Sequence, residues 1–194
     1  METLKENFKI YSANSNFGLV IFTGLGGDIH GYQNKYVKIA ERAVENYNTN
    51  VFVVGVKSWQ EIDTLVESTM QQINTYFVER GFKEFKLYAM GVSAGATFAV
   101  AKAHNYASIK KVLAVNPVIN ICYNKLAYGM ENSSVPITFV FGDKDPSMPY
   151  LPILEEEIKR KSLKNTKIKI IKNADHQFVG MLNEFIDLPF NFLW

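Results

Sequence analysis

Five short runs of almost uninterrupted apolar residues punctuate this chain, with longer segments of helical spacing between them. The runs are Gly18-Leu19-Val20-Ile21-Phe22-Thr23, Asn50-Val51-Phe52-Val53-Val54-Gly55-Val56, Phe85-Lys86-Leu87-Tyr88-Ala89-Met90-Gly91, Lys111-Val112-Leu113-Ala114-Val115-Asn116 and Pro136-Ile137-Thr138-Phe139-Val140-Phe141-Gly142. A strand that is apolar on both faces must be covered on both faces. Strands of that kind alternating with helices specify a mainly parallel sheet between two helical layers, an α/β/α sandwich. Lys167-Ile168-Lys169-Ile170-Ile171 alternates instead, as a strand nearer the sheet edge does, and residues 7–13 offer a further edge strand. The expectation is a three-layer α/β domain with a sheet of about six or seven strands. At 194 residues the chain fits one domain, 1–194.

The helices are placed by periodicity. One is expected over residues 32–47. A long amphipathic one is expected over about 60–80, where Ile62, Leu65, Val66, Thr69, Met70, Ile73 and Phe77 recur and Gly81 ends the pattern. Others follow over 150–163 and 178–188. Residues 118–134 read as irregular and polar-aromatic. No internal repeat, linker or low-complexity tract interrupts the pattern.

Composition narrows the function classes. A formal charge of +2, with lysines scattered apart from Lys159-Arg160-Lys161, does not suggest a nucleic-acid partner. The start, Met1-Glu2-Thr3-Leu4-Lys5-Glu6, has no apolar core, so no signal peptide is expected. No run of about 18 apolar residues predicts a membrane span. The single cysteine, Cys122, allows no internal disulfide and suggests no metal cluster. A cytoplasmic setting is the default expectation. Asn132-Ser133-Ser134 matches a glycosylation sequon that carries little meaning without secretion.

Chemistry concentrates at the third run. Gly91-Val92-Ser93-Ala94-Gly95 joins a buried strand to an Ala-rich helical segment and fits Gly-x-Ser-x-Gly. Glycines flanking a serine on a sharp strand-to-helix turn remove Cβ atoms that would clash there. The hydroxyl then stands above the sheet at a helix N-terminus, where the dipole favours developing negative charge. The plain alternative is a tight turn capped by serine.

A serine nucleophile needs a base, and the base needs an orienting carboxylate. Of the three histidines, His176 follows the last strand at the carboxyl ends, where ligands sit in such folds. His30 follows the glycine loop and borders that region, whereas His104 falls toward the far end of the motif helix. The acid belongs after Phe139-Val140-Phe141, where Asp143 and Asp145 both stand; the loop after the preceding strand offers Asn116 and Pro117. Asp145 precedes Pro146 and is biased toward extended backbone, while Asp143 can satisfy the turn's own amides.

Gly24-Leu25-Gly26-Gly27 is a poor dinucleotide fingerprint. The third glycine position holds Ile29, and the next strand ends in Val56-Lys57-Ser58 without an acid. It fits an oxyanion loop, with the Leu25 and Ala94 amides as donors.

Together these residues resemble the α/β-hydrolase family over nearly the whole chain. Gly91-Val92-Ser93-Ala94-Gly95 is similar to its nucleophile elbow, Gly142-Asp143-Lys144-Asp145 to its acid loop, and Asp175-His176 to its late histidine loop. Thr23-Gly24-Leu25-Gly26-Gly27 is similar to its oxyanion segment, with Thr23 where a histidine is usual. The resemblance implies Ser93, His176 and Asp145 as a catalytic set that needs no metal or organic cofactor. It implies hydrolysis of a carboxylic ester, with an amide or thioester as the alternative bond, on a small molecule or on an acyl group held by a carrier. The alternatives are an acyltransferase on the same residues or a silent binding protein. The stretch between Pro117 and Pro136 is too short for a cap domain. Gly24, Tyr32, Cys122, Tyr123, Tyr128, Met148 and Tyr150 are therefore the candidates to border a shallow mouth suited to short acyl groups.

Overall fold

The computed structural model describes residues 7–59 and 62–194. Among the described residues, seven strands form one sheet: β1 (Phe8–Tyr11), β2 (Phe17–Leu25), β3 (Asn50–Val56), β4 (Lys86–Val92), β5 (Ile109–Val115), β6 (Ile137–Gly142) and β7 (Thr166–Ile171). Their spatial order is β1-β3-β2-β4-β5-β6-β7, with β1 antiparallel to β3 and every other pair parallel. The alternating run is thus the edge strand its pattern predicted, and the fully apolar runs are interior.

Six α-helices are described: α1 (Lys35–Tyr47), α2 (Ile62–Glu79), α3 (Ala94–Lys102), α4 (Ile119–Asn132), α5 (Leu151–Arg160) and α6 (Leu182–Phe192). Strand alternation divides the apolar runs between two cores. Leu19, Ile21, Val51, Val53, Met90 and Val115 face α1 and α6, whose Tyr36, Ile39, Phe185 and Leu188 cover them. Val20, Phe22, Phe52, Val54, Ala89 and Ala114 face the opposite layer. There Ile73 and Phe77 of α2, Phe98 of α3, Leu126 of α4 and Leu154 of α5 meet them. No described helix is long and apolar enough to cross a membrane.

Three expectations shift. Residues 118–134 are not irregular: α4 occupies Ile119–Asn132, broken in its φ/ψ at Cys122 (φ −123°, ψ 21°). Ile119, Cys122, Leu126 and Met130 are buried at helical spacing. The helix also lies so close to α3 that a Cβ on Gly129 would sit 2.4 Å from the Val100 carbonyl oxygen. The terminal helix starts at Leu182, not residue 178, because Phe178 holds a left-handed φ of 59° and its amide bonds the Asp175 carbonyl. It runs on to Phe192, past Pro189, since Phe190 and Leu193 complete the cover of the sheet. The helix expected from residue 32 begins at Lys35, after a 3-10 turn over Tyr32–Asn34 in which Gln33 and Asn34 are left-handed. The first residues expected in the long helix, 60 and 61, lie outside the described residues.

Candidate active site

The turn from β4 to α3 is built around close packing. A Cβ at Gly91 would fall 2.3 Å from the Gly95 carbonyl oxygen, and one at Gly95 2.3 Å from that of Phe22. No side chain fits at either position, so the helix N-terminus is drawn down onto β2. Ser93 between them takes φ 55° and ψ −119°, a strained conformation costing of order 1–3 kcal/mol. Its amide is held by the Val115 carbonyl at 2.8 Å. Strain of this kind lifts the hydroxyl clear of the sheet.

That hydroxyl meets His176. The imidazole Nε2 lies 3.1 Å from Ser93 Oγ, and Nδ1 lies 2.5 Å from Asp145 Oδ2. Carboxylate oxygens only accept, which assigns the proton to Nδ1 and leaves Nε2 to accept from the serine. The Asp145 side chain is fully buried and its second oxygen accepts from the Ser147 amide at 2.7 Å. The imidazole stays partly exposed. Asp143, the other acid of the loop, is exposed and its amide bonds the Ile171 carbonyl. Geometry thus brings Ser93, His176 and Asp145 into one chain of hydrogen bonds and leaves Asp143 outside it.

The glycine loop forms the opposite wall. Gly24 stands so near Ser93 that a Cβ there would be 3.3 Å from the serine Cβ. Thr23 anchors the loop: its hydroxyl oxygen accepts from the Val56 amide at 3.0 Å and lies 3.1 Å from the Gly27 carbonyl. The Gly26 amide donates to the Val56 carbonyl and the Gly27 amide to that of Gly24. Leu25, the last residue of β2, lines the same cleft as Ser93. Ala94 opens α3, where an N–H has no intrahelical acceptor. Asp28 closes the loop with its carboxylate accepting from the His30 and Gly31 amides at 2.6 and 2.8 Å. The Gly31 amide, then that of His30, holds its carboxyl below the usual range.

A cleft of about 250 Å³ lies between these walls, lined among others by Gly24, Leu25, Tyr32, Lys35, Ser93 and Gln177. Lys35 has no signal in the sequence, since a lysine opening an amphipathic helix reads as a solvent-facing residue. It is only 6% exposed, with its ammonium 4.0 Å from the centre of the Phe185 ring. Burial pulls its pKa down to about 8 against the opposing charge of Asp175.

Other sequence candidates sit elsewhere. The Tyr123 hydroxyl donates to Glu157 Oε2 at 3.0 Å, and Met148, in the turn before α5, packs against the core. Neither lines this cleft. Cys122 is buried at the break in α4, and burial raises its thiol pKa. His30 is exposed with Nδ1 3.5 Å from Asp28. His104 lies edge-on to Tyr128 of α4, as a far-end histidine would.

No curated protein matches the chain significantly. Solved structures do. A dienelactone hydrolase from Anabaena variabilis superposes with a TM-score of 0.70 at 16% identity, over 96% of this chain and 89% of that one. Est1E from Butyrivibrio proteoclasticus gives 0.67 at 14% identity, over 93% and 89%. An S-formylglutathione hydrolase from Staphylococcus aureus gives 0.68 at 12% identity, over 93% and 81%. The fold is that of the α/β hydrolases. Residues 17–187, from the start of β2 to the middle of α6, match the dienelactone hydrolase family, and the chain belongs to it.

Proposed function

We propose that the protein is a serine esterase that cleaves carboxylic esters through an acyl-enzyme on Ser93. The observation that carries this reading is the hydrogen-bonded chain from Asp145 through His176 to Ser93, three residues that 31 and 83 positions of sequence separate. Family membership supports it, since a lactone is a cyclic ester. So does the company of structural neighbours, one of which, Est1E, has been seen with ferulic acid bound.

The geometry supports the following steps. Ser93 Oγ attacks the ester carbonyl carbon while His176 Nε2 takes its proton, and Asp145 stabilises the imidazolium. The carbonyl oxygen, now negative, accepts from the Leu25 and Ala94 amides; one such donor is worth ~10²–10³ in rate. As the tetrahedral adduct collapses, Nε2 gives the proton to the departing alcohol. Water then repeats the sequence on the acyl-enzyme, with Nε2 as base, and frees Ser93 and the acid.

Hydrolysis of p-nitrophenyl acetate by the wild type and by Ser93→Ala tests the reading. Release of p-nitrophenolate by the wild type, with kcat at least 10³-fold lower in the variant, supports it. Equal rates in the two proteins refute it.

A further inference from the structure

We infer that Asn116 is a positioning residue that sets His176 and Asp145 against Ser93, an inference that rests on the acyl-enzyme reading above. Asn116 follows β5 directly and is fully buried. Its backbone takes a left-handed φ of 47°, a region where Asn is enriched several-fold over other non-glycine residues. The side chain is thereby turned across the carboxyl ends of β6 and β7.

Both ends of the amide are engaged. Oδ1 accepts from the Gly142 amide at 2.9 Å, where the loop bearing Asp145 leaves β6. Nδ2 donates toward two carbonyls, His176 at 3.1 Å and Asp175 at 3.3 Å. One of these belongs to the residue whose imidazole faces Ser93. The preceding residue completes the pattern, because the Val115 carbonyl holds the Ser93 amide at 2.8 Å. Two consecutive residues at the end of one strand thus touch all three loops of the site.

The loops also brace each other. The Lys144 amide donates to the Ala174 carbonyl at 3.0 Å. A Cβ at Gly142 would come within 2.3 Å of the same oxygen, so these loops stand in backbone contact. Asn116 adds the link from that pair to the end of β5, whose Val115 carbonyl holds the Ser93 amide. A flat amide suits the task because it accepts on one side and donates twice on the other. Aspartate has the same shape but no N–H, and it would set a negative charge against two carbonyl oxygens. Since the side chain reaches backbone groups and not the reacting atoms, it acts through His176 and Asp145. Its loss lets the imidazole drift, and small misplacement is costly to the chemical step while it leaves substrate binding almost intact.

The test uses full-length wild type, Asn116→Gly, which keeps the left-handed φ free of strain, and Asn116→Asp, which keeps the shape. A fluorophosphonate titrates active sites, so that kcat is expressed per reactive site with p-nitrophenyl acetate. Both variants are expected to lose kcat by ~10–100-fold with KM within about twofold. In proton NMR, the downfield resonance of the His176 Nδ1 proton is expected to broaden or shift. A variant that melts lower but keeps kcat per titrated site within about threefold, with an unchanged downfield resonance, would reduce Asn116 to a packing residue and overturn the inference. The Asp variant decides between these outcomes even where the Gly variant does not fold. A wild type that fluorophosphonate leaves unmodified would instead refute the acyl-enzyme reading, and the inference with it.

Discussion

Nδ1 of His176 lies 2.5 Å from Oδ2 of Asp145, a carboxylate with no solvent-exposed side-chain surface. Asp143, two residues earlier, reaches solvent instead. The two acids are therefore expected to separate cleanly in kinetics. Asp145→Asn preserves the shape but favours the wrong imidazole tautomer, and kcat is expected to fall by ~10³–10⁴. Asp143→Asn is expected to change kcat by less than about threefold. Steady-state rates on one ester decide, and the reverse ranking would move the acid to Asp143.

The serine turn depends on bare backbone. A Cβ at Gly95 would lie 2.3 Å from the Phe22 carbonyl oxygen and 2.4 Å from that of Thr23. Neither backbone atom can swing away as a side chain would. Gly95→Ala is expected to destabilise the fold by about 2–4 kcal/mol, read as a shift in the guanidinium midpoint. An unchanged midpoint would show that α3 can lift off β2 at little cost.

Lys35 gives stability a pH dependence whose sign is fixed. Its ordinary pKa is 10.5 and burial lowers it to about 8 in the folded chain. Below pH 8 both folded and unfolded chains hold the proton, and the full penalty of burying the charge is present. Between those values the unfolded chain binds the proton and the folded chain sheds it, so stability rises with pH. The penalty is on the order of 3 kcal/mol, partly offset by the Phe185 ring. Lys35→Met is expected to be the more stable protein at pH 7, by about 1–3 kcal/mol, with the difference shrinking toward pH 10. Guanidinium unfolding of both proteins at pH 7, 8.5 and 10 checks it. A difference that stays constant with pH would contradict it.

Substrate length follows from the mouth. The stretch between Pro117 and Pro136 is held in the core through Ile119, Leu126 and Met130, so it is not free to fold over Ser93. The cleft beside the serine holds only about 250 Å³. p-Nitrophenyl acetate or butyrate is expected to have a higher kcat/KM than the palmitate ester, without a jump in rate above the micellar threshold. A preference for palmitate, or such a jump, would show a deeper acyl channel.

Strand positions are legible in the sequence because burial on both faces leaves an unbroken apolar run, as in Val51–Val54. Ser93 and the two loops facing it are legible from their places after strands β4, β6 and β7. The helix α4 is hidden although Ile119, Cys122, Leu126 and Met130 carry its period. Tyr, Asn and Gly129 between them read as loop, and the value of that glycine emerges only against Val100 of α3. Asn116 and Lys35 cannot be read locally. The first acts on carbonyls 59 and 60 residues away, and the second is buried by Phe185 of a distant helix.

The central claim is that Ser93 is the nucleophile. Intact-mass measurement after treatment with a fluorophosphonate, followed by peptide mapping, tests it most directly. The expected result is one adduct per chain, located on Ser93, abolished in Ser93→Ala and strongly slowed in His176→Ala. An adduct that persists in Ser93→Ala, or a wild type that stays unmodified, would contradict it.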